Sequence, residues 1–198
     1  MNKAFFLDRD GIIVKMVYDA ESGSPHPPLK PSQMEFVPGI FELLKTAKKL
    51  GYLNIIISNQ PDIGLGRISK NDFDKISEKI RSSLSDKKLT LDAEYYCFHH
   101  PFAKLRKYRE KCSCRKPLPG LISQAAKDFA VDLKRSWMLG DGVKDVIAGH
   151  KAGCKTILLA NLQETEYLRI VEEKLKNIKP DYLVKNLEEA ITLILKSG

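Results

Sequence analysis

The chain has 198 residues, 33 of them lysine or arginine and 25 aspartate or glutamate, for a formal charge of +8 with neutral histidines. At 43% hydrophobic and 29% charged it has the make-up of a folded globular chain rather than a disordered one, and its length suits one domain with a substantial core, so residues 1–198 are expected to form a single domain. No run approaches the ~18 uncharged apolar residues of a membrane span, and Met1-Asn2-Lys3 leads directly into a short apolar run, so the expectation is a cytoplasmic protein with no membrane partner.

Apolar runs alternate with amphipathic stretches along the chain, the pattern of an α/β fold with a mostly parallel sheet. Residues 4–7 read as the first strand, apolar throughout and hence buried on both faces. The Pro/Ser-rich stretch 22–31, inside a longer segment 14–36, reads as a flap rather than a linker. Ile40, Leu43, Leu44, Ala47 and Leu50 recur at helical spacing between Pro38-Gly39 and Gly51. A second doubly buried strand follows at 53–57, and Ser69 with Asp72 resembles a capping box opening a helix to about Leu84. Strands at 93–96, 137–139, 156–159 and 182–184 complete the sheet, with a helix starting near Pro119. Leu187, Ala190, Ile191, Ile194 and Leu195 mark a last helix. There is no internal repeat and no low-complexity tract.

Ligands of open α/β sheets collect outside the carboxyl ends of the strands, and here those ends are polar. The first strand runs into Asp8-Arg9-Asp10-Gly11. Residues i and i+2 of an extended chain project to one side, so both carboxylates can face one pocket while Gly11 allows a sharp exit. Two such carboxylates repel unless a cation or proton lies between them. Alone, Asp-x-Asp-Gly is a common turn. The second strand, however, ends in Ser58-Asn59-Gln60, able to bind phosphate oxygens, and the strand at 137–139 ends in Gly140-Asp141-Gly142 with Asp145 beyond. Cys114-Arg115-Lys116-Pro117 adds fixed positive charge. An acidic metal site beside a hydroxyl and a cationic clamp is what phosphoryl transfer needs.

These four stretches, in this order, resemble the four motifs of the haloacid dehalogenase superfamily, and within it the branch of histidinol-phosphate and D-glycero-D-manno-heptose-1,7-bisphosphate phosphatases. The resemblance spans roughly residues 3–160. It implies a Rossmann-like sheet with helices on both faces, no large cap domain and a zinc-binding loop. It further implies that Asp8 attacks phosphorus to form an aspartyl phosphate, and that Asp10 protonates the leaving group, activates water and lends a backbone carbonyl to Mg²⁺. Asp8 and Asp141 would also ligate Mg²⁺, with Asp145 acting behind them. Ser58 and Lys116 would hold the phosphoryl group, with Asn59, Gln60 and Arg115 reaching phosphate or substrate.

Of the four cysteines, Cys154 sits in a helix-to-strand turn and reads as a small buried residue. The other three form Cys97-x-His99 and Cys112-x-Cys114 in the loop 97–116, where three thiols and an imidazole can close a tetrahedral zinc site. His100 is a rival ligand to His99 on spacing. The branch resemblance selects Cys97, His99, Cys112 and Cys114. Such a zinc would pin the loop that delivers Arg115 and Lys116. Residues 101–116 also hold seven basic side chains against Glu110, a patch suited to a phosphorylated substrate or to solvent alone.

Three departures bear on the substrate: Pro61-Asp62 after Gln60, Gly142 where a basic residue is usual, and a longer, more Pro-rich 14–36 segment. The expected activity is Mg²⁺-dependent hydrolysis of a small phosphorylated sugar, D-glycero-D-manno-heptose 1,7-bisphosphate first, with histidinol phosphate and a nucleic-acid 3′-phosphate as alternative substrates. A zinc-stabilised binding module is the non-enzymatic alternative, disfavoured by the paired Asp8 and Asp10. A monomer is expected.

Overall fold

The computed structural model describes residues 1–21, 23–160, 173, 175 and 178–197; of the flap stretch, Ser22 lies outside them. A six-stranded sheet runs in the order β5 (Ala93–Cys97), β4 (Tyr52–Asn59), β1 (Lys3–Leu7), β6 (Trp137–Gly140), β7 (Lys155–Leu159), β8 (Tyr182–Val184). Every neighbouring pair is parallel. Parallel strands require crossovers, supplied chiefly by α1 (Ile40–Lys49), α3 (Lys70–Asp86), α4 (Gly120–Asp128) and α5 (Val143–Ala152), with α6 (Leu187–Ser197) closing the chain. A short helix, α2 (Pro61–Leu65), follows β4.

The period of two along β1 divides the core. Phe5 and Leu7 pack with residues of α1, α3 and α6 on one face, while Ala4 and Phe6 pack with residues of α4 and α5 on the other. Burying a side chain of this kind contributes about 1.5–3 kcal/mol, so the central strands hold the sheet together. The Ser69 hydroxyl accepts from the Asp72 amide at 3.0 Å, the expected cap of α3, worth about 1 kcal/mol. The apolar stripe of α1 is buried through Ile40, Leu43, Leu44 and Ala47.

All six expected strands form, each extended by no more than two residues at either end. The flap segment is more ordered than a loop: β2 (Val17–Asp19) and β3 (Ser24–His26) make an antiparallel hairpin, and Pro31–Gln33 forms a 3₁₀ turn. The hairpin arches from the carboxyl end of β1, where Val14 bridges to both Asp10 and Phe36.

Candidate active site

Register brings the polar strand ends together. Leu7 pairs with Ile56 of β4 on one side and Leu139 of β6 on the other, so Asp8, Ser58 and Asp141 leave adjacent strands at the same edge. The Asp8 amide is still tied to the sheet, donating to Leu139 O at 3.0 Å. The chain then turns at Gly11, whose φ of +85° is a left-handed conformation that side-chain-bearing residues rarely adopt. A Cβ there would also lie 1.9 Å from Asp141 Oδ2, so glycine is required on both counts.

Carboxylate oxygens of Asp8, Asp141 and Asp145 all lie within 4.8 Å of one another. Lys116 reaches into this group from the loop before α4. Its side chain is 2% exposed, and Nζ stands 3.0 Å from Asp8 Oδ2, forms an ion pair with Asp145 and donates to Ile57 O at 2.8 Å. Burial works against the Lys116 charge, but Asp145 and Asp8 outweigh it and hold the ammonium above the ordinary lysine range. Burial, with Asp8 and Asp145 alongside, pushes Asp141 up to about 8. Asp145 is pushed up to about 6 by burial, against the pull of Lys116. Three clustered carboxylates against one lysine leave two negative charges when ionised, and all-oxygen donors at this spacing fit a divalent cation such as Mg²⁺.

Asp145 is oriented by more than its ion pair, since its Oδ2 accepts from the Gly142 amide at 3.0 Å. It sits so close to β6 that a Cβ on Gly140 would lie 2.2 Å from its own Cβ. Gly140→Ala is therefore expected to displace Asp145 from Lys116 and lower kcat/KM by about 10²-fold, the order of loss that an ångström-scale misplacement brings. Steady-state kinetics beside a thermal unfolding curve tests this.

Other predicted residues take different stations. Asp10 does not join the acidic cluster; its carboxylate binds Arg9 and Gln60 instead, with Gln60 Nε2 donating to Oδ2 at 2.6 Å. Burial raises the Asp10 carboxyl above its ordinary value, partly opposed by Arg9. Ser58 and Gln60 are buried, and Gln60 Nε2 also donates to Ser58 Oγ at 3.0 Å. The Asn59 side chain clasps the Lys116 backbone, donating to its carbonyl at 3.0 Å and accepting from its amide at 2.9 Å. It thereby fixes the clamp lysine. A cavity of about 710 Å³ opens over Asp8, Asp10, Arg115, Lys116 and Asp141, with Met16 and Pro27 of the flap on its rim. Lys144, absent from the sequence reading, lines it too. Burial and then the charges of Arg115, Lys144 and Arg67 hold His100 below its ordinary value.

The second cluster lies just behind. Ligand atoms of Cys97, His99, Cys112 and Cys114 fall within 4.8 Å of one another. Cys97 Sγ is 3.6 Å from Cys112 Sγ, 3.1 Å from Cys114 Sγ and 3.7 Å from His99 Nδ1. Four ligands around one zinc at ~2.3 Å stand about 3.7 Å apart, so the donor set fits that ion. Burial works against ionising the thiols and leaves Cys97 and Cys114 above the ordinary value, whereas hydrogen bonds, first from Cys114, bring Cys112 down to about 7. His99 Nε2 lies 3.0 Å from Glu110 Oε1, the station of a carboxylate that would orient the imidazole as a metal ligand. His100 Nδ1 is instead engaged by the Phe102 amide at 3.2 Å, which separates the two histidines. The loop's Lys104, Arg106, Lys107, Arg109 and Lys111 are exposed.

Comparison with known proteins sets this geometry in a lineage. A family model described as "HAD-hyrolase-like" matches residues 113–190. Over 195 residues the chain is 38% identical to the D-glycero-beta-D-manno-heptose-1,7-bisphosphate 7-phosphatase of Helicobacter pylori, covering 98% of this chain and 97% of that one. The chain belongs to the heptose-bisphosphate phosphatase family of haloacid-dehalogenase-like hydrolases. Another relative, the D-glycero-alpha-D-manno-heptose-1,7-bisphosphate 7-phosphatase of Burkholderia mallei, is 38% identical over 161 residues, 80% of this chain and 79% of that one. The fold is shared with a D,D-heptose 1,7-bisphosphate phosphatase from B. bronchiseptica solved with magnesium and phosphate, at a TM-score of 0.79 and 23% identity over 99% of both chains.

Proposed function

We propose that this member of the heptose-bisphosphate phosphatase family is a Mg²⁺-dependent phosphomonoesterase that removes the 7-phosphate of D-glycero-D-manno-heptose 1,7-bisphosphate. The observation that carries the reading is the Asp8 carboxylate, open to the cavity, 3.0 Å from the buried Lys116 ammonium and beside Asp141 and Asp145. Mg²⁺ would be held by Asp8, Asp141 and the Asp10 carbonyl, with Asp145 behind them, and would supply the charge that lets an anionic nucleophile meet an anionic phosphate. The chain's own residues do the rest. In the first half-reaction an Asp8 oxygen bonds phosphorus, the phosphorus–oxygen bond to the sugar breaks, and the Asp10 proton goes to the departing alkoxide. In the second, water bonds phosphorus, the bond to Asp8 breaks, and the water's proton returns to Asp10. Lys116, locked by Asn59 and Asp145, stabilises the transferring oxygens together with Ser58 at the end of β4.

A bisphosphate leaves a second phosphate to be recognised, and Arg115 with Lys144 are the cations on the cavity wall that suit it. Lys144 then supplies, two residues later, the charge that Gly142 lacks. Lys144→Ala is expected to raise KM for the bisphosphate about tenfold, the effect of losing one charged hydrogen bond, while KM for a matching monophosphate stays within twofold. On this reading residues 1–198 act as one domain, a cytoplasmic monomer working on a small soluble sugar phosphate; no described helix is long and apolar enough to cross a membrane.

The relatives act on opposite anomers by name, so the deciding experiment is phosphate release from both heptose 1,7-bisphosphate anomers, histidinol phosphate, hexose phosphates and a 3′-phosphorylated oligonucleotide, with and without Mg²⁺. The expected result is Mg²⁺-dependent release with a heptose bisphosphate strongly preferred. Preference for histidinol phosphate or the oligonucleotide overturns the substrate, and no release from any of them overturns the enzyme.

A further inference from the structure

Arg9 lies between the two catalytic aspartates in sequence, in the bend just past β1, yet its side chain packs into the protein against Phe73. It is 1% exposed, one of the largest fully buried side chains. Nε donates to Asp10 Oδ1 at 3.0 Å and Nη2 to Oδ2 at 3.2 Å, the two-pronged grip a planar guanidinium makes on a carboxylate. Cζ stands 5.0 Å from the centre of the Phe73 ring, itself braced edge-on by Tyr96 and Phe98 at 5.0 and 5.4 Å. Nη1 has no hydrogen-bond partner among the described residues.

Taking a guanidinium out of water is unfavourable, and an apolar side chain of similar volume would fill the space beside α3 without that cost. The charge is thus retained at a cost to stability, at a spot from which it touches the Asp10 carboxylate and an aromatic face. Gln60 adds a third donor, so both Asp10 oxygens are engaged and the carboxylate plane cannot rotate. We infer that Arg9 is a positioning residue that fixes the orientation of the Asp10 carboxylate for proton transfer, with Phe73 as the platform that aligns its guanidinium. This rests on Asp10 carrying the proton in the reaction proposed above. Lysine cannot substitute, because a point charge lacks the fork that sets the plane.

The test separates proton transfer from general damage through the leaving group. p-Nitrophenolate leaves phosphorus without needing a proton, whereas the second half-reaction still needs Asp10 to take one from water. Arg9→Lys and Arg9→Met are expected to lower kcat on the sugar phosphate about 10²-fold, a general acid–base loss, with KM within twofold. On p-nitrophenyl phosphate they should release a rapid burst of about one nitrophenolate per enzyme, followed by slow turnover, as Asp10→Asn should. Parallel loss of burst and turnover at unchanged metal content, or full activity in both variants, overturns the inference. Should Arg9→Met not fold, Phe73→Leu must show the same split in weaker form, and its absence counts equally against the role. A wild-type protein that turns over neither ester overturns the underlying reaction instead, so the two failures are distinguishable.

Discussion

Asp8→Asn is expected to lower kcat by at least about 10³-fold, the scale of loss when a covalent nucleophile is removed, while leaving the fold intact. Asparagine keeps the shape of the side chain but cannot bond phosphorus as a carboxylate does. Its effect on stability is small because two opposing terms meet at this position. Lys116 loses one of its two carboxylate partners but keeps Asp145 and the Ile57 carbonyl, and the crowded acidic group loses one of the charges that raise Asp141 and Asp145. Zinc content should be unchanged, since no cysteine or histidine ligand touches Asp8. The measurement is phosphate release on the preferred sugar phosphate together with zinc analysis and thermal unfolding. Retained turnover refutes Asp8 as nucleophile, and a large fall in unfolding temperature would assign Asp8 a structural role instead.

The sequence makes the strands legible because each signal is local: β-branched runs such as Ile55-Ile56-Ile57, short and bounded by polar residues, favour a strand. The two clusters are not local, and they become legible only when separate strand ends and loop ends are set beside the family resemblance. The flap hairpin is hidden because its strands are three residues long and one carries Pro25, which removes the alternating pattern. Asn59 and Gln60 look like ligands for phosphate when only their chemistry is known. In the fold the Asn59 side chain, on the cavity lining, also holds the Lys116 backbone, while the buried Gln60 amide holds Asp10 and Ser58. Arg9 escapes notice because the argument from i and i+2 passes over the residue between. Glu110 counts in the sequence only as the lone acid in a basic loop, yet it backs His99. Lys144 is the second residue of α5, passed over between Gly142 and Asp145 because the reading of that strand end followed its acids. In each case the missing information is direction: which way a side chain points once the backbone is placed.

Direction is also what the zinc cluster contributes, and the second large effect follows from it. Cys97 O accepts from the Gln60 amide at 2.7 Å, and His99 O accepts from Arg115 Nη1 at 3.0 Å. Cys114 is followed directly by Arg115 and Lys116, and Lys116 is paired through its backbone with Asn59. The four ligands therefore tie the loop after β4 and the cationic clamp to one point. Cys112→Ser replaces a thiolate by a hydroxyl that binds zinc poorly, and binding of a structural zinc is itself folding free energy, on the order of 10 kcal/mol. The variant is expected to lose its zinc and to unfold at a temperature lower by roughly 10 °C or more, since about 1 kcal/mol moves the midpoint of a domain this size by ~2–4 °C. The surviving folded protein should also turn over more slowly, because Lys116 and Arg115 are no longer held in place, whereas a zinc serving stability alone would leave its kcat unchanged at low temperature. Zinc analysis, an unfolding curve and kcat below the transition read the three effects separately. Full zinc occupancy in Cys112→Ser moves the ligand set elsewhere, and a normal kcat after zinc loss uncouples the cluster from the clamp.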